Sequence, residues 1–348
     1  MLILPSLGQA WEVAWPGALA AGAATMVATR KVLAWLRHKQ IVDLPNERSS
    51  HSLPTPRGGG LATTPVMALM LIAMGWRWDG RDCVILGIGA LALMALSWWD
   101  DRHSLPALPR FAAHGLVIAV ALLGLPPEHV VFQGLLPLVA DRAVTLVAWL
   151  WFVNLYNFMD GIDGITGIET AAIGIGVALV TVIGQGFGLI APALVVGAVG
   201  AAFLVYNWHP AKLFLGDSGS VPLGFVLGGL LVALALQGHL AAAIILPAYY
   251  LADATITLIR RGVNGEKIWQ AHRKHFYQRA VRGGRSHATV SLLVLATNLV
   301  LIGAAVLAVQ GYVWLGLGVA VLVVGASLAV MQFWAGSAGA FHPPQPPL

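Results

Sequence analysis

The chain has 348 residues, 58% of them hydrophobic and only 10% charged, against about 25% charged in ordinary soluble domains. That composition excludes a soluble globular protein and describes a membrane protein. A sequence pI near 9.6 would suit nucleic acid in a soluble chain, but in a membrane protein the location of the basic residues matters more than their total, and no nucleic-acid partner is expected.

Apolar stretches long enough to cross a bilayer, about 17 to 25 residues each, fall near residues 11–33, 61–78, 82–99, 110–125, 143–160, 166–185, 187–206, 219–236, 239–259, 287–309 and 312–334. The runs are continuous rather than alternating, which predicts helices and not a membrane barrel. The expected fold is therefore an all-α, polytopic transmembrane bundle of about eleven helices. The first segment lacks a basic n-region and a small-residue cleavage site, so it reads as a retained anchor. No internal repeat is visible, and residues 1–335 read as one integral membrane domain followed by a Gly- and Pro-rich mobile tail, 336–348. The lone cysteine, Cys83, excludes an intrachain disulfide.

The basic residues are lopsided. Loops after the odd-numbered segments hold 17 of the Lys and Arg residues, including Arg57, Arg102, Arg110, Lys212, Arg273 and Arg279, whereas the alternate loops hold 3: Arg77, Arg81 and Arg142. The positive-inside rule places the rich side in the cytoplasm, with the N-terminus periplasmic and the C-terminus cytoplasmic.

On that same side lie five acids. Asp100 and Asp101 close the third segment, Asp160 and Asp163 the fifth, and Asp217 precedes the eighth. A carboxylate at the bilayer centre costs about 2.5 to 3.5 kcal/mol, so interfacial placement, a bound cation and basic loops are the expected compensation. In NLYNFMDGIDG, residues 154–164, Asn154, Asn157 and Asp160 recur every three residues and share one face if the helix continues. Gly161 and Gly164 then let the chain turn. AKLFLGDSGSVPLGF places Asp217 and free backbone N–H groups at a helix start, which suits phosphate and magnesium. In SWWDDRHSLPALPR the adjacent Asp100 and Asp101 repel, so either one has a raised pKa and serves as a base or the pair is held ionised by metal or Arg102. WQAHRKHFYQR sets His272 and His275 among Arg273, Lys274 and Arg279, a cationic group fit for diphosphate; zinc would need a third ligand. NERSSHSLPTPRGGG is a glycine loop with Arg57, without the ending of a Walker loop. Each stretch also has a plain reading: a capped helix end, an N-cap, a solvated turn, or a basic loop against anionic headgroups. Asp253, inside the ninth segment, is left open. Because all five polar groups fall on one side, they are expected to converge on a single cytoplasmic cleft suited to phosphoryl transfer.

DDR at 100–102, NFMDGIDGI at 157–165, PAKLFLGDSGS at 210–220 and HRKHFYQR at 272–279 resemble, in order, the motifs of the polyprenyl-phosphate N-acetylhexosamine-1-phosphate transferases. DLPNERSSHSLPTPRGGG looks most like the O-antigen-initiating branch. The resemblance implies an inner-membrane enzyme that moves a sugar 1-phosphate from a UDP-N-acetylhexosamine to undecaprenyl phosphate and releases UMP. By position, Asn157 and Asp217 match magnesium-binding residues, with manganese an alternative ion. Asp100 and Asp101 match the pair assigned to lipid-phosphate activation, Asp160 and Asp163 the pair near the nucleotide, and His275 the phosphate-binding loop. His51, Arg57, Gly59, Asn154, Lys212, His272, Arg273 and Arg279 complete the substrate-contact set. Tyr277 and Gln278 replace a His-His pair frequent in the family. His51 stands where the peptidoglycan enzyme has lysine, which argues against muramoyl-pentapeptide as donor. A homodimer is compatible with the sequence, though no packing motif singles one out. The rival readings are a proton- or metal-coupled transporter, whose acids usually sit at the midplane of repeated halves, and a non-catalytic scaffold that binds lipid phosphate.

Overall fold

The computed structural model describes residues 7–44, 53–77, 80–103, 105–267 and 272–336. His51 and the predicted tail beyond Gly336 lie outside the described residues. Among the described residues the chain is an all-α bundle of thirteen α-helices, α1 (Leu7–His38), α2 (Gly60–Arg77), α3 (Arg81–His103), α4 (Ala107–Leu123), α5 (Leu138–Phe158), α6 (Ile165–Ile183), α7 (Ile190–Asn207), α8 (Asp217–Leu236), α9 (Leu240–Ile245), α10 (Ala248–Val263), α11 (Phe276–Arg282), α12 (His287–Val309) and α13 (Val313–Gly336). Two short strands, β1 (Val42–Asp43) and β2 (Thr55–Pro56), pair antiparallel between α1 and α2.

Each of the eleven predicted segments contains a helix, with two differences. The segment predicted at 239–259 is broken into α9 and α10, because Pro247 has no N–H to continue the ladder and takes the N-cap of α10. The other is α11, which is too short and too basic to register as an apolar run. Seven helices among the described residues are long and apolar enough to cross a membrane: α3, α5, α6, α7 with its 3₁₀ lead, α8, α12 and α13. α2 and α4 are shorter apolar helices.

Burial grades the bundle. In its most apolar stretch 83% of α8 is buried, against 28% of α13, so α8 is the central pillar and α13 an outer one. α8 packs against α2, α3, α5, α6 and α9. The indole N–H of Trp149 on α5 donates to the Phe225 carbonyl of α8 at 2.9 Å, which sets α5 and α8 in register and brings the end of one to the start of the other.

Candidate active site

The glycine loop and the start of α8 are joined by backbone. Phe214 N–H donates to the Pro56 carbonyl at 2.8 Å, Gly58 and Gly59 N–H both donate to the Phe214 carbonyl, and Gly60 N–H donates to the Leu215 carbonyl. At Gly60 any side chain would meet the backbone nitrogen of Gly219 at 2.1 Å, so only glycine lets α2 and α8 begin this close together. The zipper aims Arg57 across the gap. Its Nη2 lies 2.7 Å from Asp217 Oδ1 and 4.0 Å from Asp101 Oδ1, so one guanidinium is shared by carboxylates from two separate predicted motifs.

The acidic pair is divided. Asp100 is buried and accepts from Arg110 Nη1 and from the Leu105 N–H, both at 2.7 Å, which shapes the turn into α4. Asp101 is exposed beside Arg57. Each carboxylate has a different arginine, Arg110 for Asp100 and Arg57 for Asp101; the side chain of Arg102 lies outside the described ones. Arg110 lies ten residues from Asp100, across the last turn of α3 and a loop, a separation at which local spacing predicts no pairing.

At the end of α5, Asn154 and Asn157 do share a face, as their spacing predicts, and both line a cleft with Asp100, Arg110 and Asp217. Leu96, Phe111 and Val221 form its apolar wall. Asn157 Oδ1 accepts from Ser220 Oγ at 2.6 Å, tying α5 to the first turn of α8. Asn154 Nδ2 donates back to the Leu150 carbonyl. Asp160 does not continue that face, because α5 stops at Phe158 and the chain turns, with Asp160 N–H on the Asn157 carbonyl. Its Oδ1 accepts from Thr166 at 2.6 Å. Burial pushes the Asp160 carboxyl up to about 6, against the opposing pull of Thr166 and Arg57.

Asp163 has a different environment. Burial would raise its pKa, but hydrogen bonds from His287 and His209 outweigh that and hold it below the usual carboxylate range. His209 Nδ1 lies 2.7 Å and His287 Nδ1 3.2 Å from Asp163 Oδ2, and Ala211 N–H donates to the same oxygen. The main chain beside it is also held, with Ser291 donating to the Asp163 carbonyl and Gly164 N–H to Asn207 Oδ1. Asn207, His209, His287 and Ser291 escaped the sequence reading. The NWH directly before PAKLFLGDSGS was the one local signal for two of them.

The basic loop meets the bundle at α10. His275 and Asp253 are both buried, with Nδ1 3.3 Å from Oδ1, and Tyr277 donates its hydroxyl to the Phe158 carbonyl at 3.1 Å. His272 lies over His275, ring centroids 4.8 Å apart. Burial, followed by the neighbouring His275 and Arg261, pushes its imidazole down to about 3, so it is neutral at pH 7. Lys274 and Arg261 clasp Glu266, and Arg273 is half-buried. Arg279 turns to α13, donating to Gln332 at 2.7 Å. Lys212 is exposed, with its N–H on the Tyr206 carbonyl.

Two groups of side chains could hold a cation. Asn157 and Asp217 offer hard oxygen donors in one cleft with room beside them, the donor set magnesium takes when it keeps several waters or phosphate oxygens. The Asp163, His209 and His287 ligand atoms lie within 4.8 Å of one another. There, however, the three groups already bind one another, with His209 Nδ1 at 2.7 Å and His287 Nδ1 at 3.2 Å from the same Asp163 oxygen, so that group is a hydrogen-bonded node.

Fold and site together describe a multi-pass bundle with a cleft at one end that sets carboxylates and asparagines against an apolar wall. A sequence model described as Glycosyl transferase family 4 matches residues 83–235. A probable undecaprenyl-phosphate N-acetylglucosaminyl 1-phosphate transferase of Bacillus subtilis (strain 168) is 29% identical over 290 residues, covering 79% of each chain. A decaprenyl-phosphate N-acetylglucosaminephosphotransferase of Mycolicibacterium smegmatis is 30% identical over 334 residues, 82% of this chain and 80% of the relative. A phospho-N-acetylmuramoyl-pentapeptide-transferase of Chlamydia pneumoniae is 29% identical over 244 residues, 58% of this chain and 68% of the relative. The chain belongs to the polyprenyl-phosphate hexosamine-1-phosphate transferase family. Nothing in these comparisons supports the transporter reading.

Proposed function

We propose that the protein transfers a sugar 1-phosphate from a UDP-N-acetylhexosamine to undecaprenyl phosphate, releasing UMP, as the first membrane step of O-antigen or a related surface polysaccharide. Residues 1–335 act as one catalytic domain in the bacterial inner membrane, with the cleft on the cytoplasmic face, the N-terminus periplasmic and the C-terminus cytoplasmic. The observation that carries the reading is Arg57, held 2.7 Å from Asp217 and 4.0 Å from Asp101. It brings the glycine loop, the acidic pair and the start of α8 to one point, beside Asn157 and an apolar wall fit for a prenyl chain. The two relatives named for N-acetylglucosamine favour that sugar within the class.

In this reading a lipid-phosphate oxygen attacks the sugar-bearing phosphorus; the new P–O bond forms as the bond to UMP breaks, and the displaced electron pair leaves on UMP. Asn157 and Asp217 would hold magnesium, or manganese in its place, which when bound supplies neutralising charge to the diphosphate. Asp101 is the better placed of the acidic pair to meet the lipid phosphate and take any proton it carries, since both oxygens of Asp100 are committed to Arg110 and the Leu105 N–H. Arg57 can pass from a carboxylate to a phosphate oxygen without leaving the cleft. Asp160 and Asp163 border the nucleotide, and Asp163 keeps its charge through two histidines. The reading is tested with detergent-solubilised protein, undecaprenyl phosphate, magnesium and a panel of UDP-N-acetylhexosamines. UMP release with one of them is the expected result, whereas a transporter or a scaffold releases none with any.

A further inference from the structure

Asp253 is a fully buried carboxylate on α10 with four hydrogen-bond donors, two from its own helix and two from the start of α11. Its Oδ1 accepts from Phe276 N–H at 2.9 Å and from Thr257, and its Oδ2 accepts from Tyr277 N–H at 3.2 Å and from Tyr249 at 3.1 Å. The two backbone donors are the first residues of α11, whose N–H groups have no partner within their own helix. Placing a charge here also favours the positive end of a helix. The same Oδ1 stands 3.3 Å from His275 Nδ1. A carboxylate has no proton to give, so Nδ1 carries the hydrogen of this contact, and the ring keeps Nε2 as its one uncommitted position.

Nε2 is buried and has no hydrogen-bond partner among the described residues, although unpaired buried polar atoms are rare. Everything else around the ring is fixed. Tyr277 stacks on it, 5.7 Å between centroids and 17° between planes, and the Gln278 side chain closes a capping box with the His275 backbone. Tyr277 in turn reaches the Phe158 carbonyl, one residue from Asn157. Gly161 admits it, since a side chain there would meet the Tyr277 oxygen at 2.2 Å. The two residues that stand in place of the family's frequent His-His pair are therefore structural supports of the His275 ring. Among the described residues of its own loop, His272 lies beside it, ring centroids 4.8 Å apart.

The geometry points to Asp253 as the positioning residue of His275: it seats the start of α11 and holds the imidazole by Nδ1, reserving Nε2 for a phosphate oxygen or hydroxyl of a substrate. This rests on the transfer reading above for the identity of that substrate. The ligand chemistry, a phosphorylated group, is common to the nucleotide sugar and the lipid phosphate.

The test uses the full-length protein. With wild type, the ¹⁵N resonances of His275, assigned by their loss in His275→Asn, are followed as UDP-N-acetylglucosamine or undecaprenyl phosphate is added separately with magnesium. Nδ1 should be protonated throughout and Nε2 should shift with one of the two, which names the source; no shift with either overturns the proposal. In kinetics, Asp253→Asn should lower kcat/KM on the order of 10²-fold, while Thr257→Val, which removes another partner of the same carboxylate, should change it less than threefold. Asp253→Asn in the His275→Asn background should add almost nothing, because the two act as one unit. Multiplying losses would mean that Asp253 acts elsewhere and would overturn it. Should Asp253→Asn fail to fold, the wild-type resonances still decide. A wild type that releases no UMP refutes the transfer reading itself, a different outcome from a turning-over enzyme indifferent to His275.

Discussion

The two ends of α5 carry the same kinds of polar residue and use them in opposite ways. At its start Asp141 is fully buried, and its two oxygens accept from Val131 N–H at 3.1 Å and Phe132 N–H at 2.8 Å. Sixteen residues on, about 24 Å along the axis, Asn157 faces a cleft with Asp217, whose carboxylate shares one guanidinium with Asp101 and, like it, remains partly exposed. A carboxylate saturated by nearby backbone N–H groups holds a loop, and its work is finished in the folded chain. One balanced against a movable cation still has a lone pair to offer. Asp253 combines the two, since it closes a helix start as Asp141 closes a loop and also touches a histidine.

Substitutions at both ends sharpen the contrast. The largest effect is expected at Asp217→Ala, which should reduce magnesium-dependent UMP release by roughly 10³-fold with little change in thermal stability; near-normal turnover would remove Asp217 from the metal site. Asp141→Ala should do the reverse. It leaves two buried N–H groups without an acceptor, so unfolding in detergent should come earlier by an amount equivalent to about 1–3 kcal/mol, while turnover per folded molecule stays within twofold. A variant that keeps its stability and loses turnover would erase the distinction between the ends.

The smallest effect is a titration. With the folded Asp160 carboxyl raised to about 6 from an ordinary value of 3.8, the folded state binds more protons than the unfolded one between those values. Its contribution to stability is present below about pH 4 and is lost as pH rises through about 6. In magnesium-free protein a carboxylic-acid infrared band should therefore disappear with a midpoint near pH 6 and be absent from Asp160→Asn. A midpoint near 4 would place Asp160 in solvent, against its burial.

Much of this protein was legible one stretch at a time. Apolar run length exposed the helices, and Gly, Pro and acid clusters marked the loops that carry chemistry. The sharing of a face by Asn154 and Asn157 followed from a period of three, and the failure of Asp160 to join them could not, because spacing says nothing about where a helix stops when glycines follow. The break at Pro247 was written in the chain but hidden by apolar neighbours that made 239–259 look continuous. His209 and His287 were invisible as a pair, since what unites them is Asp163, which lies far from both along the chain.

The sequence by itself determined the solvent this chain folds in, its helical class and the five stretches that hold its acids, cations and glycines. These follow from composition and local period, which need no knowledge of neighbours. Only the tertiary structure decided the partnerships. Arg57 joins Asp217 across 160 residues, Asp100 is kept by Arg110 while Asp101 stands beside Arg57, and Asp253 holds His275. Hydrogen bonds and ion pairs act over about 3 to 4 Å, so which of them form is set by how α5 and α8 pack and how closely Gly60 lets α2 approach, and packing is a property of the whole bundle.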